Sequence, residues 1–253
     1  IDNLPVYFYN VETDTNEAII YTVKEWKTPD KYIIPAVKKV TLTADETVDV
    51  KIYNQLKKGA AELIKINSEN NKEFLEGAEF TLYDINHKAI ESKTTDSNGY
   101  VSFEQLVYGN YFVKETKAPE GYIIDNNMYE INIDTDGKMY SVSNVSDNTV
   151  FINIPIRGNI SVIKTNEDKT INLEGAEFTL YDSNGNVVKA ALTDKNGSIT
   201  FKNLIYGKYI IKETKAPIGF AIDKTGYPID ITENGKTYVV SNEDTGKFLG
   251  LGR

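Results

Sequence analysis

The chain has 253 residues, 40% of them hydrophobic, and carries a formal charge of -9 with one histidine and no cysteine. That is enough apolar material for two or three cores, and the acidic balance excludes a nucleic-acid surface, which is built on clustered Lys and Arg. The cysteine count removes disulfides, thiolate metal sites and cysteine nucleophiles, and His87 alone cannot supply a Ser-His-Asp triad or a multi-histidine metal site. No run approaches the ~18 consecutive apolar residues of a membrane helix. No charged-then-apolar leader opens the chain at Ile1, so membrane insertion is not expected.

Residues 1–58 contain "IIYTVKEWKTPDKYIIP" followed by "VDVKIYN". Successive side chains of a strand point to opposite faces, so Tyr21, Val23 and Glu25 share one face, and Val50, Ile52 and Asn54 share another. The stretch reads as the second half of a unit whose first half is expected upstream of Ile1. Residues 59–157 read as a complete unit. "AELIKIN" places Lys65 in line with Leu63, "YFVKETKAPEGYIID" places Glu115 in line with Tyr111 and Val113, and "TVFINIP" places Asn153 in line with Phe151. Residues 158–246 repeat this unit 98 residues on, from Leu75 to Leu173 and from Thr95 to Thr193. There Lys164 lies in line with Ile160 and Val162, Glu213 with Tyr209 and Ile211, and Asn242 with Val240; residues 247–253 are a tail.

Within each unit, short runs rich in Val, Ile, Phe, Tyr and Thr alternate with Asn-Gly, Asp-Gly and Tyr-Gly turns, and no long stretch keeps a helical period. The expected fold is all-β: tandem antiparallel sandwiches of immunoglobulin-like architecture arranged end to end. Asp96 and Asp194, each in an Asp-x-Asn-Gly element, read as turn residues rather than calcium ligands, because the rest of the ligand set is missing. His87 reads as a solvated loop residue. "QLKKGAA" and "IPIRGN" read as short linkers that limit bending, with Lys57 and Lys58 as solvated connections.

A lysine, a glutamate and an asparagine therefore sit where apolar residues belong. Lys65 precedes Glu115 by 50 residues and Lys164 precedes Glu213 by 49; the acids precede Asn54, Asn153 and Asn242 by 29, 38 and 29. An unpaired buried charge is very costly. One reading is a buried Lys-Glu ion pair capped by an amide, whose contribution to stability is uncertain in sign. The other uses burial as chemistry: an apolar pocket lowers a lysine pKa and raises a glutamate pKa. The neutral amine then attacks the asparagine carbonyl while the acid shuttles protons, and ammonia leaves.

"LEGAEFTLYD", the "TDxNGxxxF" turn and "YFVKETKAPEGY", which is similar to the pilin E-box, give the two complete units a resemblance to Cna B-type, or SpaA-type, domains of Gram-positive adhesins and pilins. The front piece resembles the C-terminal half of such a domain. The resemblance implies inverse-immunoglobulin sandwiches with self-catalysed isopeptide bonds: Lys65 to Asn153 with Glu115, and Lys164 to Asn242 with Glu213. Only Glu25 and Asn54 stand in the front copy, so its lysine is expected from upstream, or else that bond does not form here. It also implies an extracellular, cell-wall or pilus location and a structural stalk rather than an enzyme. Partners would be other pilin subunits, or a host matrix protein or glycan reached through other domains; no cofactor and no metal are expected. A ligand-binding adhesin module is the alternative. No LPxTG-type sorting signal is found in the chain, and "LPVYF" at Leu4 lacks the Thr-Gly of that motif.

Overall fold

The computed structural model describes residues 1, 4–146 and 149–240, and every regular element among them is a strand. No helix among these residues is long and apolar enough to cross a membrane.

The middle domain is a sandwich of two sheets. One orders Ala89–Thr94, Glu79–Asp84, Gly109–Lys117 and Met128–Ile133; the other is built around Lys58–Asn67, which pairs with Tyr100–Val107, Met139–Ser141, Val150–Asn153 and Asn70–Phe74. Alternation does the sorting. Along Lys58–Asn67, burial alternates from Gly59 to Lys65, so Ala61 and Leu63 face Phe80, Leu82, Val113 and Ile133 of the opposite sheet. Each such large side chain contributes ~1.5–3 kcal/mol when fully buried. The last domain repeats the plan with Val187–Leu192, Glu177–Asp182, Gly207–Lys215 and Gly226–Ile231 facing Ser198–Ile205, Arg157–Ile163 and Thr237–Val240.

The sandwich expectation holds, but its antiparallel form needs correction at the opening strand of each domain, where three pairings are parallel, that of Met139–Ser141 with Lys58–Asn67 among them. The closing strand Val150–Asn153 runs parallel to the opening strand Lys58–Asn67, pairing Phe151 with Lys65, and Thr237–Val240 runs parallel to Arg157–Ile163. A parallel pair needs a long crossover, and here the remainder of the domain is that crossover.

The turn that precedes the strand Tyr100–Val107 fixes the opening strand at its lysine. Asp96 Oδ1 accepts the backbone N–H groups of Asn98 and Tyr100, at 2.8 and 2.9 Å, which is the expected turn chemistry. Gly99 stands at φ +66°, and a Cβ there would lie 2.2 Å from the Lys65 carbonyl oxygen. Its own carbonyl accepts the Lys65 N–H at 2.7 Å. Only glycine allows both the left-handed backbone and this approach. Gly197 does the same for Lys164.

The stretches expected as linkers are largely strand. Gln55–Leu56 pairs with Tyr32–Ile33, the opening strand starts at Lys58, and only Ile154–Ile156 separates Asn153 from the next opening strand. Small residues at Gly59, Ala60 and Ala61 hid this strand in the sequence. Lys57 and Lys58 are tied down through their backbone, Lys57 N–H to the Lys31 carbonyl and Lys58 N–H to Asp136 Oδ1, both at 2.9 Å.

The two junctions share a hydrogen-bond relay. Lys57 N–H bonds to Lys31 O, and Tyr108 N–H bonds to Lys57 O, both at 2.9 Å; likewise Ile156 N–H bonds to Gly121 O at 2.8 Å and Tyr206 N–H to Ile156 O at 2.9 Å. The second junction adds an Arg157 fork onto Glu69 and a Tyr206 hydroxyl bond to Glu120 at 2.6 Å. The front region is three two-stranded pairs, Tyr7–Asn10 with Thr15–Ala18, Ile20–Val23 with Lys38–Thr41, and Tyr32–Ile33 with Gln55–Leu56. None of its described residues before Gly59 is buried.

Candidate functional site

In the middle domain the lysine, acid and asparagine meet inside the sandwich. Lys65 and Glu115 are 0% exposed and Asn153 is 2% exposed. Parallel pairing sets Lys65 opposite Phe151, so the long lysine chain runs diagonally to Asn153, two residues on. Lys65 Nζ lies 2.5 Å from Asn153 Oδ1, 3.2 Å from Glu115 Oε1 and 3.2 Å from the Ile152 carbonyl. Asn153 Nδ2 donates to Glu115 Oε1 at 2.8 Å. One carboxylate oxygen thus serves both the amine and the amide.

Aromatic rings wall the site. Lys65 Nζ lies 4.2 Å from the Phe151 ring centroid and 5.5 Å from that of Phe80. The ring of Phe151 meets those of Phe80 and Tyr129 edge-on, at 5.0 and 5.1 Å. Burial pushes the Lys65 ammonium down to about 8, against the opposing pull of Glu115. A neutral amine, the nucleophilic form, is therefore reached far more readily than on an exposed lysine.

The last domain brings Lys164 and Glu213 together at 3.1 Å, with both residues buried. Glu213 Oε2 also takes the Asp223 N–H at 2.6 Å, and Glu213 Oε1 is buried with no hydrogen-bond partner among the described residues. Asn242 lies outside the described residues. In the front region Asn54 Nδ2 donates to Glu25 Oε1 at 3.1 Å and to Thr28 Oγ1 at 2.6 Å. Glu25 Oε2 is buried without a partner among the described residues. Trp26 points away, 83% exposed, with Lys24 against its ring. His87 is exposed in its turn and packs on Phe112.

Sequence reasoning missed the groups behind the acid. Asp125 N–H donates to Glu115 Oε2 at 2.7 Å, as Asp223 does to Glu213. Both repeats place this aspartate ten residues after the acid and a tyrosine four residues later, Tyr129 and Tyr227. That repetition was the available signal.

The family model for the SpaA prealbumin-like fold domain matches residues 59–148 and 158–245. The chain belongs to this family. The two matched stretches are SpaA-type, or Cna B-type, domains of Gram-positive surface proteins, and the bacterial cell surface is their location. Serine-aspartate repeat-containing protein F of Staphylococcus epidermidis is 31% identical over 157 residues, 56% of this chain and 10% of that protein. Serine-aspartate repeat-containing protein D of Staphylococcus aureus is 30% identical over 188 residues, 67% of this chain and 14% of that protein. The matches thus span 10% and 14% of the length of these two relatives. Among solved structures, the Bacillus anthracis TIE protein is similar with a TM-score of 0.77 at 32% identity, covering 88% of this chain and 41% of that one.

Proposed function

We propose that this chain is a structural stalk of a surface adhesin or pilin, whose SpaA-type domains close themselves with Lys-Asn isopeptide bonds. The observation that carries the reading is the buried contact of Lys65 Nζ with Asn153 Oδ1, both groups held by Glu115 Oε1. Proton transfer from the Lys65 ammonium to Glu115 gives a neutral amine and a carboxylic acid. The amine attacks the Asn153 side-chain carbon, the C–N bond to Nζ forms, and the bond to Nδ2 breaks. Glu115 delivers the proton that lets Nδ2 leave as ammonia and takes up the proton released by Nζ. The acid is regenerated, but its only substrate is consumed, so the reaction occurs once per domain and has no turnover. Lys164, Glu213 and Asn242 take the same parts in the last domain. Glu25 and Asn54 are the acid and acceptor of a third set, whose lysine has no counterpart among the described residues.

The intact mass of the denatured chain tests this. A deficit of two ammonia molecules, with peptide mapping to Lys65–Asn153 and Lys164–Asn242, is the expected result; the full calculated mass refutes it and leaves buried ion pairs. A second reading, a ligand-binding adhesin module, is favoured by the front hairpin, where Tyr7, Phe8 and Tyr9 are all about half exposed. Saturable binding of a host matrix protein or glycan, lost when these three are replaced by serine, would support it.

A further inference from the structure

Each of the two oxygens of Glu115 has its own task. Oε1 faces the reacting groups, while Oε2 is fixed by the Asp125 N–H at 2.7 Å. The Asp125 carboxylate is in turn held from three sides. It accepts the Tyr129 hydroxyl at 2.7 Å, the Asn144 amide at 3.0 Å and the Asn127 N–H at 3.0 Å.

Asn144 clasps the peptide that precedes the acceptor. Its Nδ2 donates to the Ile152 carbonyl at 2.9 Å and its Oδ1 accepts the Ile152 N–H at 2.8 Å. That carbonyl also receives Lys65 Nζ. Asp125 therefore adds a second tie, beside the direct bond from Asn153 Nδ2 to Glu115 Oε1, between the acid on one sheet and the asparagine strand on the other. The last domain repeats the acid half: Asp223 N–H to Glu213, Tyr227 hydroxyl to Asp223, and Thr225 N–H to Asp223 at 2.8 Å. Burial works against the charge of Asp125, yet the hydrogen bonds from Tyr129, Asn144 and Asn127 hold its carboxyl below the usual range.

We infer that Asp125 is a positioning residue for bond formation in the middle domain, fixing Glu115 through its backbone N–H and Asn153 through Asn144. Asp223 fixes Glu213 in the last domain. The inference rests on the isopeptide reading above. Asp125 makes no hydrogen bond to the amine or to the Asn153 amide, and its charge only mildly favours the Lys65 ammonium; its part is to set how long the three reacting groups spend aligned, and misplacement by about 1 Å costs a reaction up to about a hundredfold.

The test follows bond formation by intact mass, with peptide mapping to assign each lost ammonia to its domain, at timed intervals after cell-free synthesis of the full chain. The bond of the last domain serves as the internal clock. Asp125→Ala keeps the backbone N–H to Glu115 but removes the carboxylate by which Tyr129, Asn127 and Asn144 hold that N–H in place; it and Asn144→Ala should slow the middle-domain bond by about ten- to a hundredfold. Asp125→Asn, which keeps an acceptor oxygen, should recover part of the rate. The same Asp125→Ala change in a Lys65→Ala background, where no bond forms, should leave the domain folded, separating placement from stability. Asp125→Ala crosslinking at the wild-type rate overturns this inference alone. A rate loss matched by unfolding in the Lys65→Ala background also overturns it. A wild-type chain at full mass overturns the bond-forming reading and this inference with it.

Discussion

Replacing Lys65 by Met and Glu115 by Gln together removes both buried charges and leaves no ion unpaired, so the change isolates the covalent closure. The amine and its acceptor are 88 residues apart in the chain. If the isopeptide constrains the unfolded chain as a disulfide of that loop length does, its loss costs about 4.5 kcal/mol. The packing change is smaller, because Met fills most of the lysine stem and Gln is isosteric with Glu. For a domain of ~100 residues, ~4–8 °C per kcal/mol converts this to a fall of about 20–35 °C in melting temperature. Scanning calorimetry of the full chain, with intact mass on the same sample, should show one transition move by that amount and the other stay in place. A double variant whose middle domain lacks the bond yet melts with the wild type would refute the reasoning, as would a bond that survives without its lysine.

Glu115→Ala alone should block the middle-domain bond and cost about 3–5 kcal/mol more than loss of the bond itself, because Lys65 then lies buried without its counter-ion; urea unfolding of the uncrosslinked variants makes the comparison. Phe151→Ala removes a ring that is 0% exposed and lies between Phe80, Tyr129 and Lys65, and should cost about 3–5 kcal/mol in chemical denaturation. Asn153→Ala keeps Lys65 and Glu115 but cannot crosslink, and its stability should depend on pH. With the Lys65 pKa lowered from 10.5 to about 8, the unfolded chain binds more protons between those values, so stability rises with pH across that window by about 3 kcal/mol. Urea midpoints that are flat or falling from pH 8 to 10 would contradict the shift.

The all-β fold was legible because strand alternation is dense in both repeats and the turns announce themselves by Asn-Gly and Tyr-Gly. Lys65, Glu115 and Asn153 were legible for a related reason: each interrupts an apolar parity, and the structure does place all three inside the core. The spacing of Glu25 to Asn54 likewise anticipated a contact that exists at 3.1 Å. Parallel pairing of the opening and closing strands was not legible, since a period of two is the same in either direction and only topology sets the sense. Asp125 escaped notice because it acts first through a backbone N–H, which carries no side-chain signature. Asn242, whose place in the last set came from spacing, lies outside the described residues.

The relay at the two junctions has a consequence for how such arrays grow. The same pair of hydrogen bonds is made by Lys31, Lys57 and Tyr108 in one place and by Gly121, Ile156 and Tyr206 in the other. Every donor and acceptor in it is main chain, so side chains as unlike as lysine and isoleucine occupy the same station. A gene duplication that inserts one more repeat therefore arrives with its coupling already compatible at both ends. Array length can vary without a new interface having to evolve, and side-chain additions such as the Arg157 fork onto Glu69 refine individual joints afterwards.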